Sequence, residues 1–357
     1  MRRSIRSRRE RHVSECQAAI REGDVHLDAA GRWIVRPYRP GDEARILELF
    51  RRVFRVERSL DHWRWKFEEN PAGRCMRLAE TPSGELVGQY AGLPVRMAWG
   101  EKTLVFTQII DVMVDPHFRL GLKRPGLFSA LATRYIADYG GLGKVSGGYG
   151  FPTPEALRIG QRVAGYIPVH PVVSLVRVLG RADGGRLPWS ARLFRIEEVD
   201  RFGSEIDRLW EQVRSGLPVA IVRDARYLNW RYADCPDVRY RMLVAFHRLT
   251  GVPAGVAILR LGVRDQRIAA LMDWLVSSPA AASALFARCK GMAREAGMES
   301  LEAWFPPYSW PSRWFRELGF HEHATIYEFV ALPTSPEVSV EWAQERWYYT
   351  MGDSDIY

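Results

Sequence analysis

The chain has 357 residues, 47% of them hydrophobic, a length and composition typical of two packed domains. No apolar run approaches the roughly 18 residues that a membrane-spanning helix needs, and no apolar segment of a secretory signal follows the charged start. The four cysteines are scattered without paired spacing. We therefore expect a cytoplasmic protein from a reducing compartment, with no transmembrane segment and no metal site.

The net charge of +9 is concentrated at the N-terminus. Residues 1–12 contain six arginines and one glutamate, and without them the 51 basic and 42 acidic residues become 45 and 41. We predict that residues 1–30 form a basic, partly disordered arm, because such charge runs are usually solvated. The alternative is peripheral contact with anionic lipid or with nucleic acid. The arm has no interleaved aromatic residues, so we expect no specific nucleic-acid partner.

Hydrophobic periodicity and turn residues predict the elements of the first half. A strand at 33–36 precedes a helix from Asp42 to Phe54, which begins at a capping aspartate, and a second helix covers 60–67. The remaining predictions are strands at 76–80, 86–97 and 104–114, a Gly-containing basic loop at 121–126, a helix at 127–139, a strand at 144–149, a helix at 154–163 and strands within 166–178.

A polar, Gly-rich segment at 181–190 is the predicted linker between a first domain, 31–180, and a second domain, 191–357. The second half is predicted to contain strands at 194–196, 240–246, 255–261, 268–276, 300–305, 326–332 and 347–350, and helices at 204–213, 224–232, 281–296 and 312–318. Both halves thus have the order β-α-α-β-β-β-α-β-α-β, a mixed α/β unit with neighbouring antiparallel strands.

A repeated motif relates the two halves. WKFEENP at 65–71 reappears as WRYADCP at 230–236, an offset of 165 residues. In the same order, DVMV at 111–114 matches DWLV at 273–276, and YGFP at 149–152 matches AWFP at 303–306. Ordered self-similarity of this kind predicts a duplicated domain, in which Trp65 and Trp230 mark the same helix and pack. Two unrelated domains with similar aromatic patches are the alternative.

The segment from 108 to 128 reads as a strand, a basic Gly-containing loop and an amphipathic helix. Free backbone N–H groups, a helix dipole and basic side chains at such a junction form an anion site. An ordinary strand-to-helix loop is the alternative interpretation. The second half has SSPAA at 277–281, with neither glycine nor a basic residue, so we expect it not to bind the same anion.

At these residues the sequence resembles the GNAT superfamily of acyl-CoA N-acyltransferases. RPYRPGDE at 36–43 resembles the family's first strand-to-helix junction, VDPHFR at 114–119 resembles the start of its pyrophosphate loop, and GLF at 126–128 resembles the loop's end. The resemblance implies two tandem GNAT-like domains, each a mostly antiparallel mixed sheet flanked by helices, with acetyl-CoA or another acyl-CoA as co-substrate. The implied cofactor contacts are Val112, Met113, Val114, Arg119, Gly121, Lys123, Arg124, Gly126, Leu127 and Phe128.

Acyl transfer to an amine needs a base for the amine proton, a polarised thioester oxygen and an acid for the thiolate. Asp111 is the candidate base, and burial in its apolar strand is expected to raise its pKa. An aspartate paired with a nearby arginine is the alternative. The family's usual acid, a tyrosine, is replaced by Gln161, so Tyr149, Tyr166 or a water molecule is expected to substitute. By the same resemblance, the Val114 N–H is the expected oxyanion donor.

Three further residues are candidate contacts of the acceptor substrate. Asp273 is the repeat partner of Asp111, Tyr308 follows a strand end where a pocket would form, and Asp353 belongs to the closing segment. Tandem pairs of this kind resemble acyltransferases of cell-envelope and exopolysaccharide pathways and, more distantly, Fem-type aminoacyltransferases.

The function that follows is acyl-CoA-dependent transfer of an acetyl or other acyl group to an amine. The expected partner is a small-molecule or glycan-precursor amine, such as an amino sugar or a cell-envelope precursor. One alternative is a donor of another kind, acyl carrier protein or aminoacyl-tRNA, docked by the basic arm. A non-catalytic CoA-binding module is the second. The oligomeric state is left open by the sequence.

Overall fold

The computed structural model describes residues 26–27, 32–119, 126–180, 188–263 and 266–356. The strands are β1 (His26–Leu27), β2 (Ile34–Pro37), β3 (Cys75–Glu80), β4 (Leu86–Trp99), β5 (Lys102–Val114), β6 (Val145–Gly150), β7 (Ile167–Val178), β8 (Phe194–Val199), β9 (Val219–Ile221), β10 (Arg241–His247), β11 (Pro253–Leu261), β12 (Ile268–Val276), β13 (Ser300–Ala303), β14 (His321–Pro333) and β15 (Trp347–Tyr348). The α-helices are α1 (Glu43–Phe54), α2 (Leu60–Phe67), α3 (Leu127–Tyr139), α4 (Pro154–Val163), α5 (Glu205–Val213), α6 (Ala225–Leu228), α7 (Pro279–Glu295), α8 (Trp310–Glu317) and α9 (Val340–Ala343).

All of these strands belong to one mixed sheet, whose main path runs β1-β2-β3-β4-β5-β6-β14-β7-β13-β12-β11-β10-β8. Neighbours on this path are antiparallel except for β5 with β6 and β12 with β13, which are parallel. The short strand β9 joins β15 to β4 beside this path. Helices flank the sheet, so the predicted mixed α/β fold class is confirmed, although the two halves share one sheet.

The halves are joined because they exchange strands. Strand β7 of the first half pairs with β13 of the second, with Leu175 opposite Ala303. Conversely, β14 of the second half pairs with β6 of the first, with Val330 opposite Gly150. Strands β7 and β14 also pair with each other, antiparallel, at the centre. A division of the chain at the predicted linker therefore separates strands that are hydrogen-bonded neighbours; the domain limits themselves stay a prediction.

Side chains from the two faces of the first-half sheet enter different cores. One core lies under α3 and includes Tyr90, Leu127 and Leu131. The other lies under α2 and continues into the second half, through residues such as Trp63 and Trp230. Alternation along a strand sends successive side chains to opposite faces, so β5 contributes to both cores.

Several predicted boundaries differ from the structure. The helix predicted at 224–232 divides into α6 and a π-helical turn at Asn229–Ala233. Strand β14 begins at His321, five residues before the predicted start at 326. Within the predicted arm, His26 and Leu27 pair with β2. The rest of the arm up to residue 25, and most of the predicted linker, lie outside the described residues.

Candidate functional site

The site is built on a bulge near the end of β5. Asp111 has φ +47°, a left-handed conformation that aspartate tolerates better than most residues. The register of β5 against β4 shifts at this point. The shift breaks the alternation of side chains: Ile109 and Val112 pack on the α3 side, while Ile110 packs in the other core. The bulge thereby directs Asp111 toward the α2 side of the sheet, as bulges near active sites often do.

Asp111 is buried, with 8% of its surface exposed, and it lies between two cations. The Arg58 guanidinium pairs with both carboxylate oxygens, donating from Nη2 to Oδ1 at 3.2 Å. The ammonium of Lys66, on α2, lies 3.7 Å from Oδ1. Burial alone would raise the pKa of Asp111, but Lys66 and Arg58 outweigh it and the pKa is lowered. The expected rise in pKa was therefore wrong, because the sequence pattern did not show these partners.

A second carboxylate belongs to the same cluster. Asp355, in the closing segment, lies 3.9 Å from the Lys66 ammonium, and about one third of its side chain is exposed (33%). Its pKa is raised by partial removal from water and by the negative charge of Asp111, against the influence of Lys66. Burial lowers the pKa of Lys66 itself. The cluster thus places a carboxylate of lowered pKa next to one of raised pKa, a pattern typical of acid–base sites.

Beyond the bulge, one edge of β5 has no neighbouring strand among the described residues. The parallel pairing of β5 with β6 ends at Gln108 and Tyr149. Val112 and Val114 are half-buried on the α3 side, whereas Met113 is fully buried on the other side. The side chain of Arg119 donates from Nε to the Val114 carbonyl at 3.0 Å. An open strand edge of this kind offers backbone groups to an extended ligand.

The N-terminus of α3 lies near the end of β5, because Leu127 lies next to Gly88, which pairs with Val114. Gly126 is the helix N-cap, with an extended backbone and no side chain to shield the first free N–H groups. Leu127 is buried in the core under α3, and Phe128 packs against Tyr90, with ring centroids 6.0 Å apart. Three predicted loop contacts, Gly121, Lys123 and Arg124, lie outside the described residues.

The two tyrosines proposed as acids lie on opposite faces of the sheet. Tyr166 packs on the α3 side, in the same cluster as Val112, Val114 and Phe128. Its hydroxyl is 2.8 Å from that of Tyr90, and burial raises the pKa of Tyr166 to about 12. It is therefore protonated at neutral pH and able to donate.

Tyr149 lies in the other core with 1% of its surface exposed. Its hydroxyl is buried without a hydrogen-bond partner in the part of the chain that the structure describes. Burial raises its pKa well above the ordinary value. The structure thus groups Tyr166 with Val112, Val114, Leu127 and Phe128 of the predicted cofactor contacts, whereas Tyr149 shares its core with Met113.

Asp273 sits in a closed network in the second half. The Arg223 guanidinium, which is fully buried, donates from Nε to Asp273 Oδ1 at 2.8 Å and from Nη2 to Asp353 Oδ2 at 2.6 Å. The hydroxyl of Tyr232 donates to Asp273 Oδ2 at 2.9 Å. These bonds occupy both oxygens of Asp273 and leave only 1% of the residue exposed. Desolvation and the nearby Asp273 charge raise the pKa of Asp353 to about 6, against the influence of Arg223.

Sequence reasoning missed the arginines of both networks. Arg58 pairs with Asp111, and Arg223 pairs with Asp273, which is the repeat partner of Asp111. The two arginines are 165 residues apart, the same offset as the Trp motif. Extending the motif seven residues upstream would have revealed the pair.

The predicted substrate residue Tyr308 lines a pocket of about 450 Å³ in the second half. The pocket is bounded by the end of α5, the end of β12, the start of α8 and residues 345–348. Asp273 and Asp353 do not line this pocket. The structure therefore separates Tyr308 from the other two predicted substrate residues.

Comparison with known proteins supports the interpretation of the first half. Residues 34–153 match the family model described as "Acetyltransferase (GNAT) domain". This third of the chain contains β2 to β6, the Asp111 bulge and helix α3. No curated protein matches the chain. Among the described residues, no helix has the length and apolar character needed to cross a membrane.

Solved structures resemble the chain over both halves. A probable N-acyltransferase from Enterococcus faecalis has 14% identity and a TM-score of 0.64, covering 85% of this chain and 73% of that chain. A GCN5-related N-acetyltransferase from Anabaena variabilis has 14% identity and a TM-score of 0.62, covering 84% and 72%. N-myristoyltransferase from Saccharomyces cerevisiae, solved with bound myristoyl-CoA, has 13% identity and a TM-score of 0.55, covering 91% and 84%. At these identities the likeness is one of fold, and it confirms the tandem GNAT-like fold.

Proposed function

We propose that this protein is an acyl-CoA-dependent N-acyltransferase, which transfers an acetyl or other acyl group to an amine at the end of β5. The observation that carries the proposal is the bulge at Asp111, followed by an open strand edge and by the N-terminus of α3, where no side chain caps the first N–H groups. All three features lie within the residues that match the GNAT domain model.

The residues of this cleft fit an acyl-CoA. The unpaired edge of Val112 to Val114 offers backbone groups to the pantetheine arm, and half-buried valines line it. The first free N–H groups of α3, next to Gly126, suit a pyrophosphate. When bound, the acyl-CoA supplies an activated thioester. We assign its contacts to the cofactor residues that the resemblance implies, including the three loop residues outside the described part.

The chemistry assigns a separate task to each ionisable group. A nitrogen–carbon bond forms as the carbon–sulfur bond breaks; the amine loses a proton and the thiolate gains one. Asp111, held as an anion by Arg58 and Lys66, attracts and orients the ammonium form of the amine, which gives one proton to water and attacks as the neutral amine. Asp355, whose pKa is raised, is the better proton acceptor of the two at neutral pH. Tyr166 donates the proton to the thiolate, and the Val114 N–H stabilises the oxyanion.

The proposal extends to the chemical class of the amine acceptor. The resemblance of tandem pairs to cell-envelope and exopolysaccharide acyltransferases suggests an amino sugar or an envelope precursor. A panel of amines, assayed with acetyl-CoA by release of free thiol, ranks these against other primary amines.

Calorimetric titration with acetyl-CoA tests the cofactor site. The wild-type protein is expected to bind acetyl-CoA, and Gly126→Glu should weaken binding by at least about tenfold, because a carboxylate at the helix N-terminus repels phosphate. Gly180→Glu is the matched control, since an added Cβ at this exposed glycine would meet no neighbouring atom within 4 Å and the residue lies outside the cleft. Absence of binding to the wild type, or equal binding by Gly126→Glu, would refute the proposal.

A further inference from the structure

The pocket of about 450 Å³ lies in the second half, at the end of β12. The parallel pairing of β12 with β13 ends at Leu271 and Ala303, just before Asp273. Residues 274–276, which match 112–114 of the first half, line the pocket. Neither β13 nor the loop at 277–281 lines the pocket, so it lies beside the end of β12 and not between the two parallel strands. A volume of this size is typical of small-molecule sites.

Aromatic residues line this pocket, among them Trp274, Tyr308 and Trp310. Trp310 has 36% of its surface exposed and stacks on Trp314 with centroids 5.5 Å apart and planes 20° apart. Trp314 lies behind the lining and stacks in turn on Trp274 at 6.1 Å and 28°. The Tyr308 hydroxyl donates to the Trp347 carbonyl at 2.7 Å. The exposed indole of Trp310 presents both apolar area and a negative ring face to a ligand.

The charge at the rim is supplied by Glu345. This exposed carboxylate lines the pocket and forms no ion pair with any residue in the described ranges. Its neighbour Arg346 also lines the rim, but the guanidinium is engaged elsewhere: it donates to the Trp342 carbonyl at 2.7 Å and lies 5.4 Å from the Trp342 ring centroid. The rim therefore offers one carboxylate without a cationic partner among the described residues.

The N-terminus of α8 opens on the same pocket, and a helix N-terminus favours anions. Its first donors are largely unavailable, however. Pro311 has no N–H, and the N–H of Ser312 donates to the side chain of Ser309 at 3.3 Å. The indole faces and Glu345 thus dominate the chemistry that a ligand meets.

We propose that this pocket binds a small organic amine in its cationic form, with a flat apolar body against Trp310 and its ammonium at Glu345. Cations are attracted to the face of an indole more strongly than to other aromatic rings. The carboxylate adds a charge-assisted hydrogen bond. This site lies in the second half, and its occupancy does not require acyl-CoA to bind in the first.

Calorimetric titration without CoA tests the proposal, with tryptamine as the cationic probe and tryptophol as its neutral analogue. Tryptamine is expected to bind about tenfold more tightly, and Glu345→Gln should abolish that difference. Glu341→Gln is the matched control, because Glu341 is exposed on α9 and outside the pocket. Trp310→Ala should weaken both probes, whereas Trp189→Ala, at a residue 76% exposed and away from the pocket, should weaken neither.

Equal affinities for tryptamine and tryptophol, an unchanged preference in Glu345→Gln, or no binding of tryptamine would overturn the proposal. Displacement of tryptamine by CoA in the Gly126→Glu variant would also overturn it, because it would make the pocket a second CoA site. Acetyl-CoA binding to the wild type is measured in parallel. Its loss would count against the N-acyltransferase function, while loss of tryptamine binding alone would count only against this pocket.

Discussion

Trp65 and Trp230 donate their indole N–H groups to each other's backbone carbonyl. The Nε1 of Trp65 is 2.6 Å from the carbonyl oxygen of Trp230, and the Nε1 of Trp230 is 2.8 Å from that of Trp65. Their rings stack with centroids 5.7 Å apart and planes 25° apart. The two residues that mark the repeat in the sequence therefore contact each other reciprocally, so the repeated motif also forms a contact between the halves.

We expect each of Trp65→Phe and Trp230→Phe to lower the free energy of unfolding by about 2–3 kcal/mol, because each removes a buried hydrogen bond and some ring volume. Since the rings share one contact, the double variant should lose less than the sum, with a coupling of about 1 kcal/mol. Chemical denaturation measures all three. Trp189→Phe, at a residue 76% exposed, is the control and should change little. Strict additivity would mean that the two rings do not support each other.

Asp111 yields a prediction about pH. Its lowered pKa means that its ion pairs stabilise the folded state at neutral pH and lose that contribution only as the pH falls through this low value. Arg58→Met removes a cation that lowers the pKa of both Asp111 and Asp355, so both pKa values should rise and the acid limb of the rate profile, which the proton acceptor Asp355 sets, should move to higher pH. We expect a stability loss of about 3 kcal/mol at pH 7, as for other broken buried pairs.

The control for this prediction is Arg201→Met, because Arg201 pairs with Asp234 at the surface, with 60% of its side chain exposed. Removing that exposed pair should lower the free energy of unfolding by less than about 1 kcal/mol and leave the pH dependence of the rate unchanged. An acid limb that does not move in Arg58→Met would show that neither Asp111 nor Asp355 governs the reaction. Asp111→Asn gives the complementary measurement of kcat.

The two candidate acids are separated by their faces of the sheet. Tyr166→Phe should lower kcat by about 100-fold with little change in the KM for acetyl-CoA, because Tyr166 packs with the cofactor residues. Tyr149→Phe should leave kcat nearly unchanged, since that side chain is fully buried and packs against Phe329 and Trp347 of the second half. Steady-state kinetics of the two variants decide the matter, and a larger kcat effect in Tyr149→Phe would reverse the assignment.

Local sequence patterns anticipated much of the fold and part of the site. Helix α4 was predicted at its observed limits, Pro154–Val163, because its periodicity and its bounding residues are local signals. The exchange of β7 and β14 was not predicted, since an alternating pattern identifies a strand and its buried face but not its neighbour. The same limit applies to Asp111: its cation Arg58 is 53 residues away in the chain, so only the folded structure reveals the sign of the pKa shift.

Asp353 provides a test of stability against pH. Its pKa in the folded state is raised to about 6 from an ordinary 3.8, so between these values the folded protein binds more protons than the unfolded chain. The contribution of Asp353 to stability therefore decreases as the pH rises from about 4 to about 6. The wild type should therefore exceed Asp353→Asn in free energy of unfolding by more at pH 5 than at pH 7. Asp61→Asn, which changes a carboxylate 81% exposed, should shift stability equally at both pH values. If the wild type and Asp353→Asn differ in free energy of unfolding by the same amount at pH 5 and pH 7, then Arg223 keeps Asp353 ionised at both. In that case the charge of Asp273 does not raise the pKa of Asp353.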